Sequence, residues 1–336
     1  MALINTEIVD HKFVISLTEW AVDRYRSTSE VTLSEDMVII NSDDVTSILH
    51  KLESIYGSLG FEFHPFKIGW YNSLVRPIFK LDYNEDTVAF LIISSPNMFE
   101  RAFVPFLQKQ SNKLNGLKDP IDECMQFYLS KIKEIFSDYN VKVVHDFELH
   151  PNRRPKIVMQ SVAHASGAAY LYHPSSLAID EQSKKMFGVC IHPKYGGWFA
   201  LRAVAFFEDL QCPDLLRTPP CDVVPSREDK IKLLELYNFN WADWKFRDII
   251  PVAEKYSDLQ IKYFNATPGN REKTSSNVVK CLDNTPCSAY GINSDREIPL
   301  ESKRSTSIMT FLLPQPHMSL LNCTAVEDFH IFQIMK

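Results

Sequence analysis

The side chains best suited to chemistry are concentrated in residues 145–202. This stretch contains five of the ten histidines and four of the ten glycines of the chain. It has two unusual runs, H-P-N-R-R-P-K at 150–156 and G-V-C-I-H-P-K-Y-G-G-W-F-A-L-R at 188–202, with the small-residue run Q-S-V-A-H-A-S-G-A-A-Y-L-Y-H at 160–173 between them. Small residues let the backbone approach a flat or bulky molecule, while arginine and histidine supply charge and hydrogen bonds. The pattern therefore predicts a roomy ligand site.

The familiar catalytic signatures are missing from the sequence. There is no phosphate-binding G-x-x-x-x-G-K-[ST] loop, no G-x-G-x-x-G fingerprint and no G-x-S-x-G elbow. Neither C-x-x-C nor H-x-x-x-H spacing occurs, so no metal site made by the protein is predicted. We accordingly expect a binding cavity with no dedicated catalytic side chain.

The composition narrows the class of protein. A chain of 336 residues with 45% apolar and 23% charged residues is typical of one or two globular domains. The net charge of −6 argues against a nucleic-acid partner, because phosphate neutralisation requires a basic face. No apolar run approaches the roughly 18 residues of a membrane span. Seven scattered cysteines and an N-terminus without an apolar centre predict reduced thiols and a cytoplasmic, cytosolic protein.

Three segments are predicted along the chain. Residues 1–42 form a poorly specified N-terminal extension, and residues 272–336 a polar, disordered C-terminal tail. The compact domain spans 43–271 and opens with a helix whose N-terminus is marked by Asp43 and Asp44.

Apolar periodicity predicts a mixture of strands and helices inside this domain. Strands are expected at 61–71, 87–94 and 141–147. Helices are expected at 45–56, 98–109, 121–136, 157–172 and 230–238. A hairpin is predicted from 188–192 and 198–207, around the turn that begins at His192. Because helices and strands do not alternate regularly, the pattern predicts an α+β sandwich with a mainly antiparallel sheet flanked by helices.

Several long and uncommon runs carry a resemblance to a known family. In addition to the runs at 150–156 and 188–202, they are A-H-x-x-G-A-A-Y at 163–170, G-F-E-F-H-P-F at 60–66, S-P-N-M-F-E-R-A at 95–102 and N-F-N-W-A-D-W-K-F-R-D at 238–248. These runs are collinear over about 44–271 and resemble the CblC-type cobalamin-processing family.

The resemblance implies a fold similar to flavin-dependent nitroreductases and two reactions on a bound cobalamin. Cyanocobalamin would lose cyanide by reduction with electrons from a flavin, FMN or FAD. Alkylcobalamins would lose their alkyl group to the thiolate of glutathione. The corrin would be held with its lower benzimidazole base detached from cobalt, and the cobalt would arrive with the ligand. The alternative is a non-catalytic escort that delivers cobalamin to a downstream trafficking protein.

The resemblance also implies which residues contact the ligand. The expected cobalamin contacts are Asp146, Ile157, Val158, Met159, Gln160, His164, Leu171, Tyr172, His173, Cys190 and Leu201. A cobalt-ligating histidine usually lies in D-x-H-x-x-G, and here Val162 replaces the aspartate that would orient the imidazole of His164. We therefore expect His164 to contact the ligand without binding cobalt.

Two positions depart from the family pattern, and one needs a second interpretation. Leu171 and His173 stand where the family has tyrosine and glutamine, so the relative affinity for flavin and corrin is open. Cys190 lies between two apolar residues with no base beside it in the sequence, which favours a buried, unreactive thiol over a nucleophile.

Glutathione carries two carboxylates, which arginine binds through a bidentate fork. The resemblance places the glutathione arginines at Arg202, Arg247 and Arg271. It also implies a homodimer through the exposed loop from Pro151 to Pro155.

Overall fold

One long strand, Ala200–Gln211 (β7), organises the main sheet. The computed structural model describes residues 37–110, 119–177, 186–267, 270–271, 274–275 and 278. On one side of β7 lies Thr87–Ser94 (β3), and Phe61–Lys67 (β2) follows β3 at the edge. On the other side β7 pairs with Val141–His145 (β4) and, near its end, with Val38–Ile39 (β1). All these pairings are antiparallel except that of β1, which confirms the mainly antiparallel sheet.

A second, two-stranded sheet pairs Tyr170–Tyr172 (β5) with Val189–Ile191 (β6) in antiparallel fashion. The helices are α1 Ser42–Tyr56, α2 Ile68–Asn72, α3 Val104–Lys109, α4 Pro120–Leu129, α5 Ile132–Ile135, α6 Met159–Ala165, α7 Arg227–Phe239 and α8 Asp258–Asn265. Single 3-10 turns occur at Gly57–Leu59, Pro77–Phe79, Pro174–Leu177, Trp241–Asp243 and Lys245–Asp248, and a π-helical turn at Phe99–Phe103. Among these described helices, none combines the length and apolarity that a bilayer span requires.

The sheet separates two hydrophobic layers. Alternate side chains of β3 point to opposite faces, as the geometry of a strand requires. Phe90 and Ile92 pack with α1, α3 and α4 in the first layer, whereas Leu91 and Ile93 pack with α6 in the second. Every residue of β3 is buried, which explains its uninterrupted apolar run.

A few described residues outside the predicted span 43–271 pack with the compact domain. Asn41 caps α1 and forms a capping box with Asp44, so the aspartates lie in the first turn, where they favour the helix dipole. Because Val38 and Ile39 pair with β7, the ordered chain begins before residue 43. At the other end Val278 packs into the first layer, so the described part of the predicted tail belongs to the core. The remaining residues of both predicted extensions lie outside the described part of the chain.

The predicted hairpin between 188–192 and 198–207 is wrong. Only a local bridge forms, between His192 and Gly196, where each backbone N–H donates to the carbonyl of the other. Beyond it the chain turns away, β6 pairs with β5, and β7 enters the main sheet.

Two predicted helices are shorter than expected. The helix predicted at 157–172 covers only α6, because Gly167 adopts a left-handed conformation with φ 77° and a strand follows. The helix predicted at 121–136 divides into α4 and α5.

Candidate functional site

The predicted ligand wall assembles on the second face of the sheet. Gln160, near the start of α6, donates from its side chain to the carbonyl of Gly188 at 2.9 Å. The carbonyl of Gln160 accepts from the Cys190 thiol at 3.6 Å, and Cys190 lies opposite Leu171 in the small sheet. The helix and the two strands are therefore held together by residues from two of the sequence runs, 160–173 and 188–202.

A surface cavity opens along this wall. Its empty space is about 480 Å³ when the adjoining open solvent is included, and it is lined by Leu74, Ser161, His164, Tyr170, Leu171, His173, Ser175 and Ser176. Three predicted ligand residues, His164, Leu171 and His173, therefore share one cavity. Among the described lining residues, the titratable side chains are the two histidines and the Tyr170 phenol, without a carboxylate.

The His164 ring is fixed by its surroundings. Its Nδ1 accepts the backbone N–H of Leu171 at 3.2 Å, and the ring packs edge-on against Tyr170 with centroids 5.1 Å apart. Burial, reinforced by the positive charge of Arg217, lowers the pKa of His164 to about 4. The neutral ring with an accepting Nδ1 carries its proton on Nε2. That tautomer offers an N–H donor rather than a lone pair.

The Cys190 thiol is buried, and burial raises its pKa far above the ordinary value. A buried thiol without an adjacent base or cation is a poor nucleophile. This environment supports the interpretation of Cys190 as part of the wall.

The other predicted contacts fall at different depths around the wall. Ile157 and Met159 are buried in the second layer, and Val158 and Leu201 pack against it while partly exposed. Asp146 follows β4 and donates its backbone N–H to the carbonyl of Arg202 at 3.0 Å.

Tyr172 stands apart from these residues. Its side chain packs in a third cluster that includes Val189 and Val224. Its hydroxyl donates to Asp222 at 2.7 Å and accepts the backbone N–H groups of Val223 and Val224. Its side chain is thus committed to the fold, and a ligand contact there would use the backbone.

Arg202 occupies an irregular position in β7. The partners of Ile92 and Ile93 are Ala203 and Leu201, so Arg202 is the extra residue of a β-bulge. Its guanidinium is buried, and Nε donates to the Ser94 hydroxyl at 2.8 Å. In the described part of the chain no carboxylate lies within salt-bridge distance of Arg202, so its only described side-chain partner is the Ser94 hydroxyl.

Arg247 is enclosed by aromatic rings. Its guanidinium carbon lies 4.7 Å from the ring centre of Trp244, 5.0 Å from that of Phe246 and 5.1 Å from that of Tyr256. Burial lowers the pKa of Arg247, and the nearby charge of Arg202 adds to the effect. The two arginines therefore lie close enough to influence each other.

The Gly196-Gly197 pair makes this arrangement possible. A Cβ on Gly196 would lie 2.6 Å from the carbonyl oxygen of Arg247, and one on Gly197 would lie 2.7 Å from its Cα. Gly197 also donates its N–H to the Arg247 carbonyl and accepts from the Arg247 guanidinium. Only glycine permits such an approach of the two backbones.

Arg271 has a different environment. It is buried, and its Nη1 lies 3.4 Å from a carboxylate oxygen of Asp119, the cap of α4. The ring of Tyr263 lies below its guanidinium at 6.0 Å. Arg271 thus already has an acidic partner that a second carboxylate would have to share.

Two features of the site were absent from the sequence interpretation. The first is a group made by Glu62, His64 and His192, whose potential ligand atoms lie within 4.8 Å of one another. However, Nδ1 of His192 accepts the backbone N–H groups of Lys194 and Tyr195, which leaves the proton on the Nε2 that faces Glu62. The group thus does not present three free lone pairs to a metal.

The second feature is Arg217, whose charge acts on His164. Its loop lies against the end of α6. The contact is so close that a Cβ on Gly167 would be 2.4 Å from the carbonyl oxygen of Thr218. A lone arginine in a proline-rich loop carries no sequence pattern that would have revealed it.

The loop at 150–156 is shaped by its prolines. Leu149 and Pro155 form an isolated bridge, and Arg153 adopts a left-handed conformation with φ 64°. Arg154 donates to the carbonyl of Ile78 at 3.2 Å. The tip of the loop, including Pro151, is exposed.

The described residues form a mixed α/β protein with an open cavity along one face of its main sheet. The family model described as the Methylmalonic aciduria and homocystinuria type C family (MMACHC) matches residues 60–274. The chain belongs to this family.

Curated relatives and a solved structure agree with this assignment. A Gallus gallus protein named "Cyanocobalamin reductase / alkylcobalamin dealkylase" is 47% identical over 225 residues, which are 67% of this chain and 94% of the relative. A Homo sapiens protein of the same name is 43% identical over 228 residues, 68% of this chain and 80% of the relative. The crystal structure of a C. elegans B12-trafficking protein, CblC, is similar with a TM-score of 0.65 and 31% identity, over 71% of this chain and 98% of that one.

Proposed function

We propose that this chain binds cobalamin with its lower base detached and removes the upper ligand. The removal would proceed by flavin-dependent reductive decyanation of cyanocobalamin and by glutathione-dependent dealkylation of alkylcobalamins. The observation that carries the proposal is the cavity beside α6, lined by His164, Leu171 and His173. The names of the relatives, reductase and dealkylase, support both reactions.

The wall supports binding of cobalamin with its lower benzimidazole base detached from cobalt. It also supports a cobalt whose lower position is not taken by a protein side chain. His164 uses Nδ1 to accept from Leu171 and presents Nε2–H toward its surroundings. An N–H donor suits the amide carbonyls at the corrin periphery or the ring nitrogen of the displaced base. Cobalt without a lower ligand is reduced more easily, which assists both reactions.

Dealkylation requires glutathione to be held so that its thiolate faces the alkyl carbon. The sulfur would form a bond to that carbon, and the electron pair of the carbon–cobalt bond would stay on cobalt. The products would be the thioether and cob(I)alamin. Arg202 and Arg247 support this role, because Arg202 is buried, Arg247 is half-buried among aromatic rings, and no described carboxylate lies within salt-bridge distance of either. Arg271 is already paired with the carboxylate of Asp119, so it is better suited to holding its own segment against α4 than to binding glutathione directly.

For decyanation a bound FMN or FAD would supply electrons. The chain contributes a cavity that is open to solvent on one side, through which a reductant can approach. The same proposal includes the nitroreductase-like form of the sandwich, a cytosolic location and a homodimer through the exposed 151–155 loop.

Decyanation is tested by mixing the protein with cyanocobalamin and chemically reduced FMN or FAD under argon and measuring free cyanide. Cyanide release that depends on both protein and flavin is expected. Release at the rate of flavin alone would remove this part of the proposal.

The alternative function is an escort that binds cobalamin and passes it to a downstream trafficking protein. The observation in its favour is the description of the C. elegans relative as a B12-trafficking protein. An escort would detach the lower base without turnover, so product formation separates the two functions.

A further inference from the structure

The guanidinium of Arg217 is partly buried, and one of its edges has no hydrogen-bond partner. Its Nε and Nη2 atoms are both inaccessible to solvent and make no hydrogen bond. Within the part of the chain that the structure describes, no carboxylate lies within salt-bridge distance of it, and burial lowers its pKa. An unsatisfied guanidinium edge costs stability, and an anionic ligand is one group that would satisfy it.

The position of Arg217 connects it to the cavity wall. Arg217 lies on the loop between β7 and α7, which has no regular secondary structure. The loop is pressed against the left-handed Gly167 at the end of α6, with Thr218 as the point of contact. His164 lies one turn earlier on the same helix, and the charge of Arg217 reaches it.

The open edge has a definite chemical preference. The Nε–H and Nη2–H bonds of a guanidinium point in parallel and form a fork that matches two oxygens of a phosphate or carboxylate. The neighbouring cavity offers two further donors, the Ser161 hydroxyl and the Nε2–H of His164. The hydroxyls of Ser175 and Ser176 are already engaged by the ring and the carbonyl of His173. Two donors and a nearby positive charge, with no carboxylate among the described lining residues, fit an anion better than a neutral amide.

We propose that Arg217 binds a phosphate group of the ligand through its Nε and Nη2 atoms. This inference rests on the proposed function, because cobalamin carries one phosphate, the phosphodiester between the corrin and the lower base. When the base is detached, that phosphodiester moves with the released tail and needs a new site. FMN carries the same chemistry as a monoester, so the two sources must be separated by experiment.

The experiment compares ligands that differ by the phosphate. Wild-type protein, Arg217→Ala, Arg217→Lys and the control Arg101→Ala are titrated with methylcobalamin and with methylcobinamide, which has the same corrin and upper ligand but no phosphate or base. The same proteins are titrated with FMN and with riboflavin. Arg101 is exposed and lies on the segment that packs against the first layer, on the other face of the sheet.

The proposal predicts that Arg217→Ala weakens methylcobalamin binding about tenfold or more, because charge-assisted hydrogen bonds contribute roughly 1.5–3 kcal/mol. Methylcobinamide should bind all four proteins equally, which also shows that the variants are folded. Arg217→Lys should recover part of the loss, since a lysine keeps the charge but not the fork. A loss confined to FMN relative to riboflavin would assign the phosphate to the flavin.

Equal weakening of methylcobalamin and methylcobinamide, or unchanged affinity for all four ligands, would overturn the inference. If wild-type protein binds neither corrin, the proposed function fails, and the FMN and riboflavin titrations still decide whether Arg217 binds phosphate.

Discussion

The backbone N–H of Leu171 donates a hydrogen bond of 3.2 Å to Nδ1 of His164. This bond joins the small sheet to α6 and assigns the imidazole proton to Nε2. His164, which lines the cavity, thereby presents an N–H donor and not a lone pair that could bind cobalt. The consequence is that the chain would leave the lower face of the corrin without a protein ligand.

The tautomer of His164 is testable by electron paramagnetic resonance of bound cob(II)alamin. We expect no nitrogen splitting assignable to the protein in the wild-type spectrum, and the same cobalt spectrum in His164→Gln. Affinity should fall by a few-fold, because one hydrogen bond contributes about 1 kcal/mol. A nitrogen splitting that disappears in His164→Gln would show that the imidazole binds cobalt.

The buried histidines predict a loss of stability in mild acid. Burial lowers the pKa of His64 to about 4 and that of His192 to about 3, below the ordinary value of 6.5. The unfolded chain therefore binds more protons between pH 6.5 and 4, so the free energy of unfolding falls as the pH falls through that window. The slope is at most about 1.4 kcal/mol per pH unit for each histidine.

His64→Phe isolates one of these groups. His64 Nε2 is buried without a hydrogen bond, so phenylalanine removes a titrating and unsatisfied nitrogen at little cost in volume. Urea unfolding at pH 7 and pH 5 should show a smaller difference for His64→Phe than for the wild type. Identical pH dependence of the two proteins would mean that His64 is not neutral in the folded state.

Arg202 is predicted to bind a carboxylate of glutathione. Replacement by alanine should raise the glutathione KM for methylcobalamin dealkylation about tenfold or more, while methylcobalamin affinity stays close to wild type. Arg202→Lys should fall between the two, and Arg101→Ala should behave as wild type. Unchanged rates for Arg202→Ala at low glutathione concentration would contradict this role.

Gly196 and Gly197, which contact the Arg247 backbone, should not tolerate an added methyl group. In Gly197→Ala the new Cβ would lie 2.7 Å from the Arg247 Cα, so the backbone must move. We expect a loss of about 1–3 kcal/mol in the free energy of unfolding, together with weaker glutathione binding. Gly57→Ala is the matched control, because no atom lies within 4 Å of its Cβ position. Equal stabilities of the two variants in urea would show that the contact is not restrictive.

Sequence periodicity is sufficient to predict the strands and helices whose own apolar pattern has a single interpretation. The strand Thr87–Ser94 was predicted at its observed bounds, because a short apolar run buried on both faces has few other interpretations. The helix at 98–109 was likewise found, although its first turn is π-helical.

The predictions failed where a distant partner decides the outcome. The turn at His192 does close locally, yet β6 pairs with β5, a choice that depends on the position of α6 and not on the turn. The position of Arg217 beside the cavity wall could not be predicted from the sequence either, because it depends on the contact between its loop and Gly167. The tautomer of His164 depends on a backbone N–H seven residues away.

The central claim is that the chain removes the upper ligand of a cobalamin whose lower base it has detached. The most direct measurement is an anaerobic absorption spectrum of methylcobalamin with the protein, recorded before and after addition of glutathione, with S-methylglutathione quantified at the end. We predict a shift to the base-detached spectrum on protein binding, followed after glutathione by cob(I)alamin and an equal amount of S-methylglutathione. A base-detached spectrum that stays unchanged after glutathione would leave only an escort, and no spectral change on adding the protein would contradict cobalamin binding itself.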